Sequence, residues 1–219
     1  MALAQLIQSS NQLIIHSHFY IYGDAATETL AKQIGNDIAQ HWNEPQANIL
    51  YKHDWYKLIF EVKAVYEPQL KPEDVWYNTD PKLFFFRIEE YSPLDISFVD
   101  GIGSNTGFFK LANLLQTSTT AAHEYGHMIG LHHPKDLDIR GAGTPGIMYP
   151  RGTLCDPHFQ YDASAMAGQK GGTLDPKHRK VLTEDIQQLK LHKLDYDEAG
   201  FAVLGDFTSI YHARYLPKE

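Results

Sequence analysis

Residues 123–133 read His-Glu-Tyr-Gly-His-Met-Ile-Gly-Leu-His-His, and no other stretch of the chain restricts its fold as tightly. His123 and His127 are four apart, so on a helix they project from one face, one turn from each other, and can hold one metal ion. Glu124 is an acid beside the first of them, placed to take a proton from a metal-bound water rather than to bind the metal. Gly130 can adopt positive φ without steric cost, which lets the helix end and the chain swing back. His133 then arrives as a third imidazole from beyond the helix. Three protein ligands with an open fourth position is the arrangement of a catalytic zinc, not of a structural one. His132 is out of register from Gly130 and is read as a neighbour of the site rather than a ligand.

A second stretch, Gly146-Ile147-Met148-Tyr149-Pro150, follows after an interval. Together the two resemble the zinc signature and the Met-turn of the metzincin metalloproteases. Methionine followed directly by Tyr-Pro, Ala121-Ala122 before His123, Gly126 and Leu131 are closest to the matrixin type. The resemblance implies an α+β catalytic domain of two lobes, a small, twisted, mostly parallel sheet with long helices, and one catalytic Zn²⁺ in the cleft between the lobes. On that plan residues 1–219 form a single catalytic domain. An upper lobe with the active-site helix spans about 10–131, and a lower lobe with the Met-turn and a C-terminal helix spans about 132–195. Residues 196–219 are an extra tail, and 134–145 an inserted loop. The implied activity is that of a metalloendopeptidase acting on a protein or peptide substrate, with His123, His127 and His133 on the metal and Glu124 as general base. Met148 would form an apolar floor under the site, and Tyr149 would support it structurally. Pro150 would belong to the substrate-pocket wall, which in matrixins is a Pro-x-Tyr segment and here reads Pro150-Arg151-Gly152.

The rest of the chain fits a single soluble-type domain with a core, at 219 residues, 43% hydrophobic and 21% charged. A net charge of −8 argues against a nucleic-acid binder, which would carry a basic patch. Apolar runs are too short for a membrane span. Met1–Ser10 lacks the basic region and apolar core of a Sec-type signal peptide, although the resemblance implies a secreted or exported protein. Alternating apolar residues predict strands at 13–22, 57–66, 83–91 and 94–99. Ala26, Leu30, Ile34, Ile38 and Trp42 predict an amphipathic helix over 25–42, with Asp24 as a candidate cap. The resemblance implies an edge strand just before the histidine helix that pairs with an extended substrate, a role that would fall to Gly107–Leu111 and make Phe109 and Leu111 candidate substrate-binding residues. Ser118-Thr119-Thr120 is the expected cap of the histidine helix. Thr183 is expected to cap a last helix, and Phe201–Leu204 is strand-like.

Asp136 and Asp138, one residue apart in the inserted loop, are candidate Ca²⁺ ligands, without the full register of a calcium loop. Cys155 is the only cysteine, which excludes an intrachain disulfide, and it reads as a small buried hydrophobe. His16 and His18 share a strand face and read as strand-surface residues. Two other functions compete with a general endopeptidase. One is a non-catalytic zinc-containing binding module, against which Glu124 speaks, since a structural site needs no base. The other is a narrow-specificity effector or toxin protease.

Overall fold

A computed structural model describes residues 2–115 and 118–217. The domain and tail expectations include Met1, Lys218 and Glu219, which lie outside the described residues. The chain is α+β. Its elements are β1 (Ala2–Ile7), β2 (Gln12–Tyr22), α1 (Glu28–Asn43), β3 (Asn48–Tyr51), β4 (Asp54–Tyr66), α2 (Pro72–Trp76), β5 (Leu83–Glu89), β6 (Phe98–Val99), β7 (Thr106–Lys110), α3 (Thr120–Met128), α4 (Thr183–Gln188) and β8 (Phe201–Leu204), with short 3₁₀ turns between.

The eight strands form one curled, mixed sheet in the order β3-β4-β2-β5-β7-β6. β2 is its spine. One side of β2 pairs with β4 along its whole length, and the other is shared by β1 at residues 12–16 and β5 at 18–22. β8 then pairs with the outer side of β1. The expected mostly parallel sheet is corrected: β2–β4, β2–β5 and β5–β7 are parallel, while β1–β2, β1–β8, β3–β4 and β6–β7 are antiparallel. The expected long helices reduce to one, α1 with 16 residues, and α3 has nine. Among the described residues no helix is long and apolar enough to cross a membrane.

Period-two burial on β2 sends Leu13, Ile15, Ser17, Phe19 and Ile21 to one face. On that face α1 lays Leu30, Ile34, Ile38 and Trp42 against the sheet. The helix starts where Thr27 accepts the Leu30 amide at 3.1 Å, so Thr27 is the cap rather than Asp24. Asp24 instead pairs with Arg214 of the tail at 2.9 Å. The strand expected over 94–99 keeps only Phe98–Val99. Asp95 takes a left-handed φ of 59°, and Ser92 closes a turn onto the Ile96 carbonyl at 2.6 Å. One cluster of buried apolar side chains runs from Ala2 through the sheet and α1 to Ile147, Met148, Ile186 and Leu204.

Candidate metal centre

Helix α3 is held from three directions. The Tyr125 ring, fully buried, packs among Phe19, Trp42, Phe60 and Phe84, and its hydroxyl meets Ser17 Oγ at 2.8 Å. Trp42 Nε1 donates to the Ala122 carbonyl at 3.0 Å. Beneath the helix, a Cβ placed on Gly126 would meet Met148 Sδ at 2.3 Å, so the methionine lies directly against the glycine backbone. That is how Met148 forms a floor: it occupies the space that any side chain at 126 would need. The helix start departs from the expected cap. Ser118 Oγ accepts the Thr120 amide at 3.2 Å, while the Thr119 hydroxyl donates to the Pro176 carbonyl at 2.7 Å.

The helix ends as the sequence requires. Gly130 has φ of 106°, its amide donates to the His127 carbonyl at 3.1 Å, and the Leu131 amide donates to the Gly126 carbonyl at 2.9 Å. This pair of bonds is the Schellman motif, with glycine in the left-handed position. No atom lies within 4 Å of a Cβ built on Gly130, so the backbone angle alone selects glycine.

The turn brings His133 back over the helix. Its Nε2 lies 3.0 Å from His123 Nε2 and 3.1 Å from His127 Nε2. Each helical imidazole is oriented from behind: His123 Nδ1 lies 2.7 Å from the Ile147 carbonyl, and His127 Nδ1 lies 2.7 Å from the Leu131 carbonyl. A carbonyl only accepts, so His127 Nδ1 carries the proton and its Nε2 presents a lone pair. His123 Nδ1 faces both the Ile147 carbonyl at 2.7 Å and the Arg179 guanidinium at 3.0 Å, and with its proton directed at the closer carbonyl its Nε2 presents a lone pair to the same point. A neutral His133 could donate to only one of its two neighbours, whereas a cation at that point satisfies all three nitrogens. Zn–N bonds of about 2.0–2.1 Å in tetrahedral geometry place ligand nitrogens ~3.3 Å apart, so the set fits zinc with a small outward movement. His123, His127 and His133 could therefore hold a metal ion such as zinc, and they are the one cluster of three or more candidate ligands found among the described residues.

Burial lowers the imidazole pKa values, His123 far below its ordinary value and His127 to about 4, with the Arg179 charge contributing at His123. Neutral imidazole is the ligating form. Burial pushes the Glu124 carboxyl up to about 8, against the pull of Arg179. All four side chains line a cleft of about 770 Å³. Ile96–Val99 form one part of its wall and Pro150–Gly152 another, with His132 at the rim.

The remaining expected site residues are distributed as follows. Pro150 lines the cleft and Tyr149 is half-buried, packing toward Ile139, Cys155 and Leu174. The edge strand expected at Gly107–Leu111 is corrected. β7 lies between β5 and β6, Phe109 is fully buried with its ring centroid 4.3 Å from that of Phe86, and Leu111 packs on the core. The sheet ends at β6, whose residues do line the cleft. The inserted-loop aspartates are engaged locally: Asp138 pairs with Arg140, and Asp136 accepts the Asp138 amide at 3.0 Å. Cys155 is buried and unpaired among apolar neighbours, and burial raises its thiol pKa. His16 lies between Glu61 and Gln5, each at 2.9 Å.

Sequence reasoning missed Arg179. It is buried, donates from Nε to Thr119 Oγ1 at 2.9 Å and from Nη1 to the Tyr149 carbonyl at 3.0 Å, and lies 3.0 Å from His123 Nδ1. An arginine 46 positions after His133, within the basic run Lys177-His178-Arg179-Lys180, carries no metal-site spacing signal, so only the fold could place it here. Comparison of the chain with family models, with curated proteins and with solved structures finds no match. The site is therefore defined by its own residues: three convergent imidazoles that could bind a metal ion, on an α+β scaffold.

Proposed function

We propose that the chain is a zinc-dependent endopeptidase of metzincin type, with the cleft between the sheet-bearing part and the Met-turn part of the chain as its substrate site. The observation that carries this reading is the convergence of three imidazole Nε2 atoms beside an acid that lines the same cleft. A zinc ion held by His123, His127 and His133 would supply a Lewis acid for the scissile carbonyl and would acidify a water toward neutral pH. The protein's own part follows from the geometry. Ile147 and Leu131 fix the two helical imidazoles in the ligating tautomer through their carbonyls. Glu124 has no hydrogen-bond partner among the described residues and a pKa of about 8, which suits a group that takes a proton from the attacking water and passes it to the leaving amine. The antiparallel edge at β6 is where an extended peptide would add to the sheet beside the cleft.

The test is a paired digest of a mixture of unfolded proteins by wild type and Glu124→Ala, with and without a zinc chelator, with fragments read by mass spectrometry. Cleavage by untreated wild type alone is the expected result. Undiminished cleavage by Glu124→Ala overturns the base assignment. No cleavage by zinc-loaded wild type favours a non-catalytic zinc module or a protease confined to one folded target.

A further inference from the structure

Two arginines line the cleft and neither forms an ion pair with a described residue. Arg179 is buried, yet its hydrogen bonds go to a hydroxyl and a backbone carbonyl, and no carboxylate lies within ion-pair distance among the described residues. Glu124 is the main opposite charge acting on it, from beyond ion-pair distance, and Asp175 acts more weakly and is paired with Lys177 at 2.8 Å. Arg151, two residues beyond the Tyr149 carbonyl that Arg179 holds, is exposed and forms no ion pair or hydrogen bond with a described residue. The two are close enough for their charges to repel. Glu124 is the only acid lining the cleft among the described residues. A chain with 27 acidic and 19 basic residues thus places two guanidinium groups without an ion-pair partner beside the candidate cation site, with one carboxylate, Glu124, in the same cleft. A buried guanidinium without an ion-pair partner loses hydration that nothing in direct contact replaces, and a ligand anion offsets that loss. Arginine also offers the planar fork that matches a carboxylate.

Position narrows the ligand. Arg179 stands behind His123, on the face opposite the metal-binding nitrogen. Adding the 3.0 Å contact to the width of an imidazole and a Zn–N bond of about 2.1 Å puts the guanidinium within about 7 Å of the metal point. An extended peptide advances about 3.4 Å per residue, so this is the reach of the residue flanking the bond at the metal and not of a distant one. Resting on the zinc-peptidase reading, we infer that Arg179 and Arg151 form a carboxylate-recognising subsite, which selects substrates carrying an acidic side chain or a chain-terminal carboxylate next to the cleaved bond.

The test uses peptide hydroxamates, which anchor on a zinc ion and place the next residue beside it, and measures affinity by calorimetry on the zinc-loaded full chain without requiring turnover. Three forms differ only at that residue: glutamate, glutamine, and a neutral residue followed by a free C-terminal carboxylate. At least one carboxylate form is expected to bind ten-fold or more tighter than the glutamine form, and which one does so tells side-chain from terminal recognition. Arg151→Gln, at an exposed position, should reduce that preference several-fold, and Arg151→Glu should turn it toward a lysine-bearing hydroxamate. Arg179→Lys keeps the charge but loses the fork, and should weaken the carboxylate forms more than the neutral one. Equal affinity of all three forms for wild type overturns the subsite while leaving the zinc site standing. Failure of every hydroxamate to bind the zinc-loaded protein overturns the reading of an open, catalytic zinc and the subsite with it.

Discussion

Gly126 and Met148 offer the sharpest test of how the candidate metal helix is supported. Glycine inside a helix is worth about 1 kcal/mol less than alanine, so Gly126→Ala should stabilise α3 if nothing else changed. The structure says that something else does: the new Cβ would lie 2.3 Å from Met148 Sδ, against an ordinary contact of roughly 3.5–4 Å, so the two must part by more than an ångström. Overpacking of this kind costs about 1–3 kcal/mol, which leaves the single variant neutral to ~2 kcal/mol less stable. With Met148→Ala in place the closest remaining neighbour is the buried Trp42 Cζ2 at 3.2 Å, a contact tight enough to offset part of the alanine gain, so the same substitution should now lie between neutral and about 1 kcal/mol stabilising. The coupling between the two positions is therefore expected at about 1–3 kcal/mol. Urea unfolding of the four proteins of the cycle, stripped of metal by a chelator, measures it without linkage to zinc binding. Additivity to within about 0.5 kcal/mol would refute the claim that Met148 is the reason for glycine at 126.

Gly130→Ala forces a left-handed φ on a residue with a side chain, and should cost about 1–2 kcal/mol of stability and weaken zinc binding, both readable from unfolding curves and metal titration. His133→Ala should lower zinc affinity sharply while His132→Ala leaves it near wild type, because only His133 Nε2 meets the other two nitrogens; equal losses measured by competition with a chelating dye would show that the register is wrong. The metal-free protein should lose stability as pH falls from about 6 toward 4. His123 and His127 have folded pKa values below the unfolded value, so the unfolded chain binds up to two more protons at them. Glu124, raised to about 8, keeps one extra proton in the folded chain and offsets part of this, so the net rise of stability with pH is expected below about pH 6, and thermal melts at pH 6 and 5 in the presence of chelator check the sign.

Legibility of the fold followed the strength of local pattern. β2, α1 and β4 carry long, regular alternations or a four-residue repeat, and their spans agree with expectation to within a few residues. β1 escaped notice because its buried positions are Ala2, Ala4 and Leu6, two of them small and poor in β propensity; it is a strand because β2 and β8 pair with it on either side. β3 is four residues long, too short to show a period. The 94–99 segment shows the reverse failure: its alternation is present, but only two residues find a partner strand. Edge and interior strands have the same composition, so the position of β7 between β5 and β6 was not readable from Gly107–Leu111.

The candidate metal site divides in the same way. The spacing of His123, His127, Gly130 and His133 by itself determined that two imidazoles share a helical face, that the helix stops, and that a third imidazole returns, because each step is set by backbone geometry within eleven residues. What the tertiary structure alone decided lies further along the chain. The Ile147 carbonyl that fixes the His123 tautomer is 24 residues away, the methionine that demands Gly126 is 22 away, and the buried Arg179 is 56 from the histidine it touches. Such contacts depend on how separate segments pack against one another, and no local periodicity encodes that.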